Sequence, residues 1–277
     1  MAEPGPRALL TPGRVRELLA THDLRPSKAL GQHYLADPNT ARKVARLGGI
    51  EPGETVLEVG PGLGSLTLAL REAGAAVVAV EADARLLPAL AEVLGDDPLV
   101  RVEVADALRV DLAALAPAAR RLVANLPYNI AATLVLKVLA EAPAIAHLVV
   151  MVQREVGERL AAPAGSKTYG IPSVLVALRA HAEVVGRVSP EVFLPRPNVE
   201  SALVRIDRRA QPATDADPDL LVELVRQAFG NRRKMLRRSL DGRVTEAQFA
   251  AAGVAADARP EQLDVLAWGR LAEAVAA

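Results

Sequence analysis

Short apolar runs separated by longer amphipathic stretches mark the first two hundred residues. The runs at 55–59 (TVLEV), 76–81 (AVVAVE), 100–104 (VRVEV), 121–125 (RLVAN) and 147–152 (HLVVMV) are nearly continuous in apolar character. That is the pattern of strands in a parallel sheet covered on both faces. Between them, residues 63–73, 84–94 and 130–142 carry helix-length periods. The alternation predicts right-handed βαβ crossovers and a doubly wound α/β sheet. Upstream, LADPNTARKVARLGGI predicts a helix with Asp37 as its cap, Pro38 at its first position and Gly48 with Gly49 as its stop.

The pattern changes after the fifth run. Residues 182–206 read as two antiparallel strands joined by a loop in which Pro190, Pro195 and Pro197 deny ladder hydrogen bonds. Residues 207–219 are polar and proline-containing, as in a linker, and 220–277 carry only helical periods. Three parts are expected: an N-terminal extension (1–30), a Rossmann-like domain (31–207) and a small all-α domain (208–277).

The candidate chemistry gathers where strands end. LEVGPGLGSLTLAL follows the first strand and opens a helix, and Gly60, Gly62 and Gly64 permit a tight turn with close approach of a ligand. Their G-x-G-x-G spacing departs from the dinucleotide fingerprint. Glu81 ends the second strand, 21 residues after Gly60, where a carboxylate accepts the hydroxyls of a ribose. Asp106, after the third, has two readings, as acceptor for an adenine amine or as cap of the following turn. The three positions point to an adenosine-type ligand at the carboxyl edge of the sheet.

The fourth strand ends in Asn125-Leu126-Pro127-Tyr128, in a chain with three tyrosines. An exocyclic amine on a base is a poor nucleophile, because its lone pair is delocalised into the ring. A site that methylates it must orient the NH2 with hydrogen-bond acceptors. The Asn125 side-chain carbonyl supplies one, and the Leu126 backbone carbonyl, freed before Pro127, supplies the other. Tyr128 offers a flat face for an extruded base, worth about 1–3 kcal/mol. The motif holds no strong base, and none is needed when a sulfonium donor drives the transfer.

Composition narrows the class. The chain has 277 residues, 51% of them apolar, enough for one large core and a smaller one. Without cysteine there is no disulfide, thiolate metal site or cysteine nucleophile, and no metal is expected. No apolar run has the length of a membrane span, and the N-terminus lacks a signal-peptide pattern; a soluble cytoplasmic monomer is expected. Lys+Arg and Asp+Glu both number 33, so any polyanion must be met by a local basic face. Arg232, Arg233, Lys234, Arg237 and Arg238 in RRKMLRR, and Arg25 with Lys28 in RPSK, are the candidates.

KALGQHYL, VLEVGPGLGSLT, VVAVEAD, VADAL, NLPYNIAATLVLKVL, MVQREVGERL, SKTYGIPSVL, VFLPRPNVESALVRI and FGNRRKMLRRSL occur in that order. The set resembles the KsgA-type rRNA adenine N6,N6-dimethyltransferases, over roughly residues 25–240. The resemblance implies an S-adenosylmethionine-dependent enzyme that dimethylates two adjacent adenosines in a hairpin loop near the 3′ end of 16S rRNA, in the small ribosomal subunit. It implies cofactor contacts from His33, Leu35, Gly60, Glu81, Asp106 and Asn125, with Gly62 completing the loop. It pairs Phe193 with Tyr128 as the two faces around the target base. His33 stands where many relatives carry asparagine, which predicts acid-sensitive cofactor binding. The loop around Lys167 and Tyr169 is expected to be mobile and to touch phosphate. RNA affinity is assigned to a basic helix across 232–238, with Arg25 and Lys28. The catalytic centre alone leaves open a 23S rRNA adenine methyltransferase of the macrolide-resistance type; the other alternative, a non-catalytic RNA-binding assembly factor on the same scaffold, has the intact Asn125, Pro127 and Tyr128 against it.

Overall fold

The computed structural model describes residues 7–27 and 30–277. The chain divides into two compact units, residues 1–157 with 183–207, and residues 158–182 with 208–277.

The strands are β1 (Tyr34–Leu35), β2 (Thr55–Val59), β3 (Ala76–Glu81), β4 (Val100–Val104), β5 (Arg121–Asn125), β6 (His147–Gln153), β7 (Ala180–Val188), β8 (Phe193–Leu194) and β9 (Ser201–Arg208). Seven form one sheet in the order β4-β3-β2-β5-β6-β9-β7, while β1 and β8 pair apart from it. The pairs among β2 to β6 are parallel, and β9 runs antiparallel to β6. The order reverses between β2 and β5, the switch point at which open α/β sheets leave a crevice beyond their carboxyl ends. The fold is the expected Rossmann-like one.

Local signals behave as read. Asp37 caps the helix Pro38–Leu47, its side chain accepting the Thr40 amide at 2.8 Å. The helix Ser65–Glu72 starts directly after Gly64, whose φ of 89° is left-handed. The first unit's core joins the strand faces to Leu66, Leu70, Leu86 and Leu90.

Two boundaries differ from expectation. Within the expected extension 1–30, the described residues 7–27 form no separate part: Leu9, Leu10, Val15 and Leu18 are buried in the first unit's core, Val15 and Leu18 from the helix Pro12–Thr21. Residues 158–182 belong to the second unit, although the polar stretch at 207–219 suggested a single cut. The reason is hydrophobic burial. Val174 and Leu178 of the helix Ile171–Arg179 share a core with Leu221, Leu224, Trp268 and Leu271. Tyr169 is buried there too, its hydroxyl donating to the Leu263 carbonyl at 2.9 Å, so the expected phosphate-touching loop is an anchored one. Among the described residues no helix is long and apolar enough to cross a membrane.

Candidate active site

A cavity of about 420 Å3 opens at the carboxyl ends of β2, β3 and β5, within the size range of small-molecule and cofactor sites. Gly60, Gly62, Glu81, Asp106, His33, Leu35, Asn125, Leu126, Pro127 and Tyr128 all line it. Sequence positions spread over about a hundred residues therefore converge on one pocket.

The glycine loop closes on the β5 turn. Gly60 has φ 71°, and a β-carbon there would sit 3.3 Å from Pro127 Cδ; one on Gly62 (φ 59°) would sit 3.0 Å from the Tyr34 ring. Both positions demand glycine for conformation and for space. The Gly62 amide donates to Glu81 Oε2 at 3.2 Å, and the Asp83 amide to Glu81 Oε1 at 2.9 Å. Burial pushes the Glu81 carboxyl above its ordinary pKa, against the opposing pull of these amides. A carboxylate offers more acceptor sites than these amides fill, so Glu81 keeps capacity for a further donor. Asp106 lines the cavity, and its Oδ1 accepts the Leu108 amide at 2.9 Å, capping the turn.

Three residues at the cavity or behind its wall escaped the sequence reading: Gln32 and Glu58, which line it, and Asp83, which holds Gln32. Gln32 donates to Asp83 Oδ2 at 2.9 Å, while its Oε1 accepts the Ser27 amide and the Tyr34 hydroxyl, so the GQHYL segment is tied to the tip of β3. Burial of the Asp83 carboxylate is outweighed by the Arg85 guanidinium, which holds it down at about 2. Glu58, in β2 two residues before the loop's Gly60, is 1% exposed. Burial pushes its carboxyl up to about 8 despite the Thr67 hydroxyl donating to it at 2.7 Å. A neutral carboxylic acid therefore forms part of the cavity wall at pH 7. The signals were present in QHYL, EAD and LEVG, but a carboxyl reads as charged until its burial is known.

At the tip of β5 the Leu126 amide continues the ladder to the Met151 carbonyl at 3.0 Å, and Pro127 then ends it. Asn125 spends its Nδ2 on the His33 carbonyl at 3.3 Å, which fixes the amide with Oδ1 as the remaining acceptor. Among the described residues no donor reaches Asn125 Oδ1 or the Leu126 carbonyl. Tyr128 is half-buried, its hydroxyl 2.7 Å from Ser201 Oγ, and burial raises its pKa. The His33 ring lies 5.4 Å from the Tyr128 ring, tilted 31°, and its Nδ1 donates to the Pro195 carbonyl at 2.7 Å.

Phe193 is placed otherwise than expected. It is 1% exposed, packs in the first unit's core and does not line the cavity. The antiparallel pairing of β8 with β1 sets Phe193 opposite Leu35, and the phenyl ring is covered by the core. It presents no stacking face here and acts as a staple.

The basic stretch is not one helix either. Only Leu236–Ser239 is helical, because the Leu236 and Arg237 amides bond the Ala258 and Ala256 carbonyls. Arg232 is engaged internally, donating to the Lys167 carbonyl at 2.9 Å and lying 3.7 Å from Glu261. Arg233, Lys234, Arg237 and Arg238 are exposed, as is Arg25 in the first unit. Lys28 lies outside the described residues.

The sheet order, the glycine loop and the strand-end acid define a Rossmann-like methyltransferase. Solved structures agree on the fold. A dimethyladenosine transferase from Plasmodium falciparum superposes with a TM-score of 0.70 at 22% identity, covering 86% of this chain and 96% of that one. The 23S rRNA methyltransferase ErmE does so with 0.66 at 28% identity, covering 88% and 100%. The chain matches the ribosomal RNA adenine dimethylase family over residues 24–277, and it belongs to that family. It is 44% identical to the ribosomal RNA small subunit methyltransferase A of Streptomyces avermitilis, over 99% of this chain and 96% of that protein. With the protein of the same name from Kineococcus radiotolerans it shares 46% identity, over 96% and 91%.

Proposed function

We propose that this chain uses S-adenosylmethionine to dimethylate N6 of two adjacent adenosines in a hairpin loop near the 3′ end of 16S rRNA, acting in the cytoplasm on the small ribosomal subunit. The name shared by its relatives supports the small subunit over a 23S target. The observation that carries the chemistry is that Asn125 and Leu126, whose Oδ1 and backbone carbonyl are left as acceptors at the β5 tip, line the same cavity as the glycine loop.

The residues fit the cofactor. Two left-handed glycines leave the wall without side chains, and Glu81 keeps acceptor capacity. Gly60, Gly62, Glu81, Asp106, His33 and Leu35 would hold the cofactor's adenosine and tail, and Asn125 borders both ligands. When bound, S-adenosylmethionine supplies an electrophilic methyl on a positively charged sulfur. The protein's task is then orientation. Asn125 Oδ1 and the Leu126 carbonyl each accept one N–H of the target amine, turning its lone pair out of conjugation and toward the donor. Tyr128 stacks on the extruded base and offsets part of an unstacking cost of a few kcal/mol. After transfer the surplus proton is acidic and leaves without a dedicated base. Arg233, Lys234, Arg237 and Arg238 supply phosphate contacts on the second unit.

The test offers small and large subunits lacking these methylations, with labelled cofactor, followed by mass spectrometry of the RNA nucleosides. N6,N6-dimethyladenosine in small-subunit RNA is expected; label confined to large-subunit RNA would overturn the assignment. Asn125→Ala should bind RNA and lower methyl transfer about 10²-fold, the scale for removing one preorganised polar contact.

A further inference from the structure

Phe193 in β8 is buried, yet the proline-stiffened segment that follows it is tied to the pocket at two points. Ser201, fully buried as the first residue of β9, places its Oγ 2.7 Å from the Tyr128 hydroxyl. The Pro195 carbonyl accepts His33 Nδ1 at 2.7 Å, and the His33 ring lies against Tyr128 at 5.4 Å between centroids. Both ends of this segment are anchored. β8 pairs with β1 (Tyr34↔Leu194), and β9 is laddered to β6 with Ser201 opposite Gln153.

We propose that the segment 194–201 supports Tyr128, with Ser201 and His33 as positioning residues that fix the ring on which the target base stacks. The proposal rests on the base-pocket reading above. A half-buried tyrosine on a turn has two torsions to settle. One hydrogen bond from a fully buried, ladder-held serine sets the far end of the ring. The second contact, the imidazole face, restricts rotation and is itself held by Pro195 rather than by the turn that carries Tyr128. A buried serine has few alternatives, and its hydroxyl has no other side-chain partner among the described residues. Misplacing the stacking ring by a fraction of an ångström misplaces the amine relative to the donor methyl, which reduces turnover more than it reduces cofactor affinity.

The test is a double-mutant cycle between Ser201→Ala and Tyr128→Phe, each variant removing the same hydrogen bond from one side. With subunit RNA saturating, each single variant should lower kcat about 10-fold, leave the dissociation constant for S-adenosylmethionine unchanged, and the double variant should be no slower than Tyr128→Phe alone. Fluorine NMR of protein carrying 3-fluorotyrosine gives a readout free of RNA and cofactor, because the chain has three tyrosines. Ser201→Ala should shift the Tyr128 resonance and spare those of Tyr34 and Tyr169. Multiplicative losses in the double variant, an unchanged kcat in Ser201→Ala, or an unmoved Tyr128 resonance would each overturn the proposal. Failure of the base-pocket reading shows differently: Tyr128→Ala and Asn125→Ala would then retain full methyl transfer, whatever the NMR reports on Ser201.

Discussion

Replacing Glu58 by glutamine should remove most of a pH-dependent loss of stability confined to the first unit. Glu58 is 1% exposed, and burial raises its carboxyl from 4.5 to about 8, with the neighbouring Glu81 charge adding to the rise and Thr67 opposing it. The folded state therefore keeps a proton that the unfolded chain releases near 4.5. Stability that is fully present below 4.5 declines as pH rises, until the folded carboxyl itself ionises near 8. Each pH unit in that window corresponds to about 1.4 kcal/mol, so the cost between pH 5 and pH 8 is about 4 kcal/mol. Glutamine keeps the shape and an acceptor for Thr67 but has nothing to ionise. Hydrogen exchange on peptides covering Thr55–Val59 measures the opening free energy of this unit, and peptides from Val265–Ala276 in the second unit serve as the control. The two proteins should match near pH 5, and the variant should be more stable by about 4 kcal/mol at pH 8. A gap independent of pH, or an equal gap in the control peptides, would refute a neutral buried acid at this position.

Gly60→Ala forces a β-carbon to 3.3 Å from Pro127 at a φ of 71°; it should cost about 1–2 kcal/mol in stability and weaken cofactor binding, measured by thermal unfolding and calorimetry. Asp83→Asn removes a carboxylate held at about 2 by Arg85, whose stabilisation is present above the ordinary 3.8 and is lost as pH falls through 2. With Arg85 itself largely exposed, the variant should lose about 1–2 kcal/mol at pH 7, a difference that disappears below about pH 2 in acid unfolding. Reversing Arg233 and Lys234 to Glu should weaken RNA binding and flatten its dependence on salt, while leaving cofactor affinity alone, in filter-binding titrations across ionic strength; an unchanged slope would reject those cations as phosphate contacts.

Sequence alone determined what short-range physics controls. The alternation of apolar runs and helical periods set the five parallel strands in their places, and the glycine spacing with the acid at the end of β3 marked one wall of the pocket. Asn-Leu-Pro-Tyr announced its two acceptors because a proline ends a strand wherever that strand packs. The tertiary structure decided everything that depends on partners far apart in the chain. Asn125 Oδ1 is left as the acceptor because Nδ2 is spent on a carbonyl 92 positions earlier, and Tyr128 is steadied by a hydroxyl 73 positions later. Phe193 is covered through pairing with Leu35, and the basic stretch loses its helix to the carbonyls of Ala256 and Ala258. Glu58 looks like any charged residue in the string; its proton is retained because the folded core excludes water from it. Residue type and spacing set local conformation, whereas exposure, protonation and the direction of a side chain follow from neighbours that only folding brings into contact.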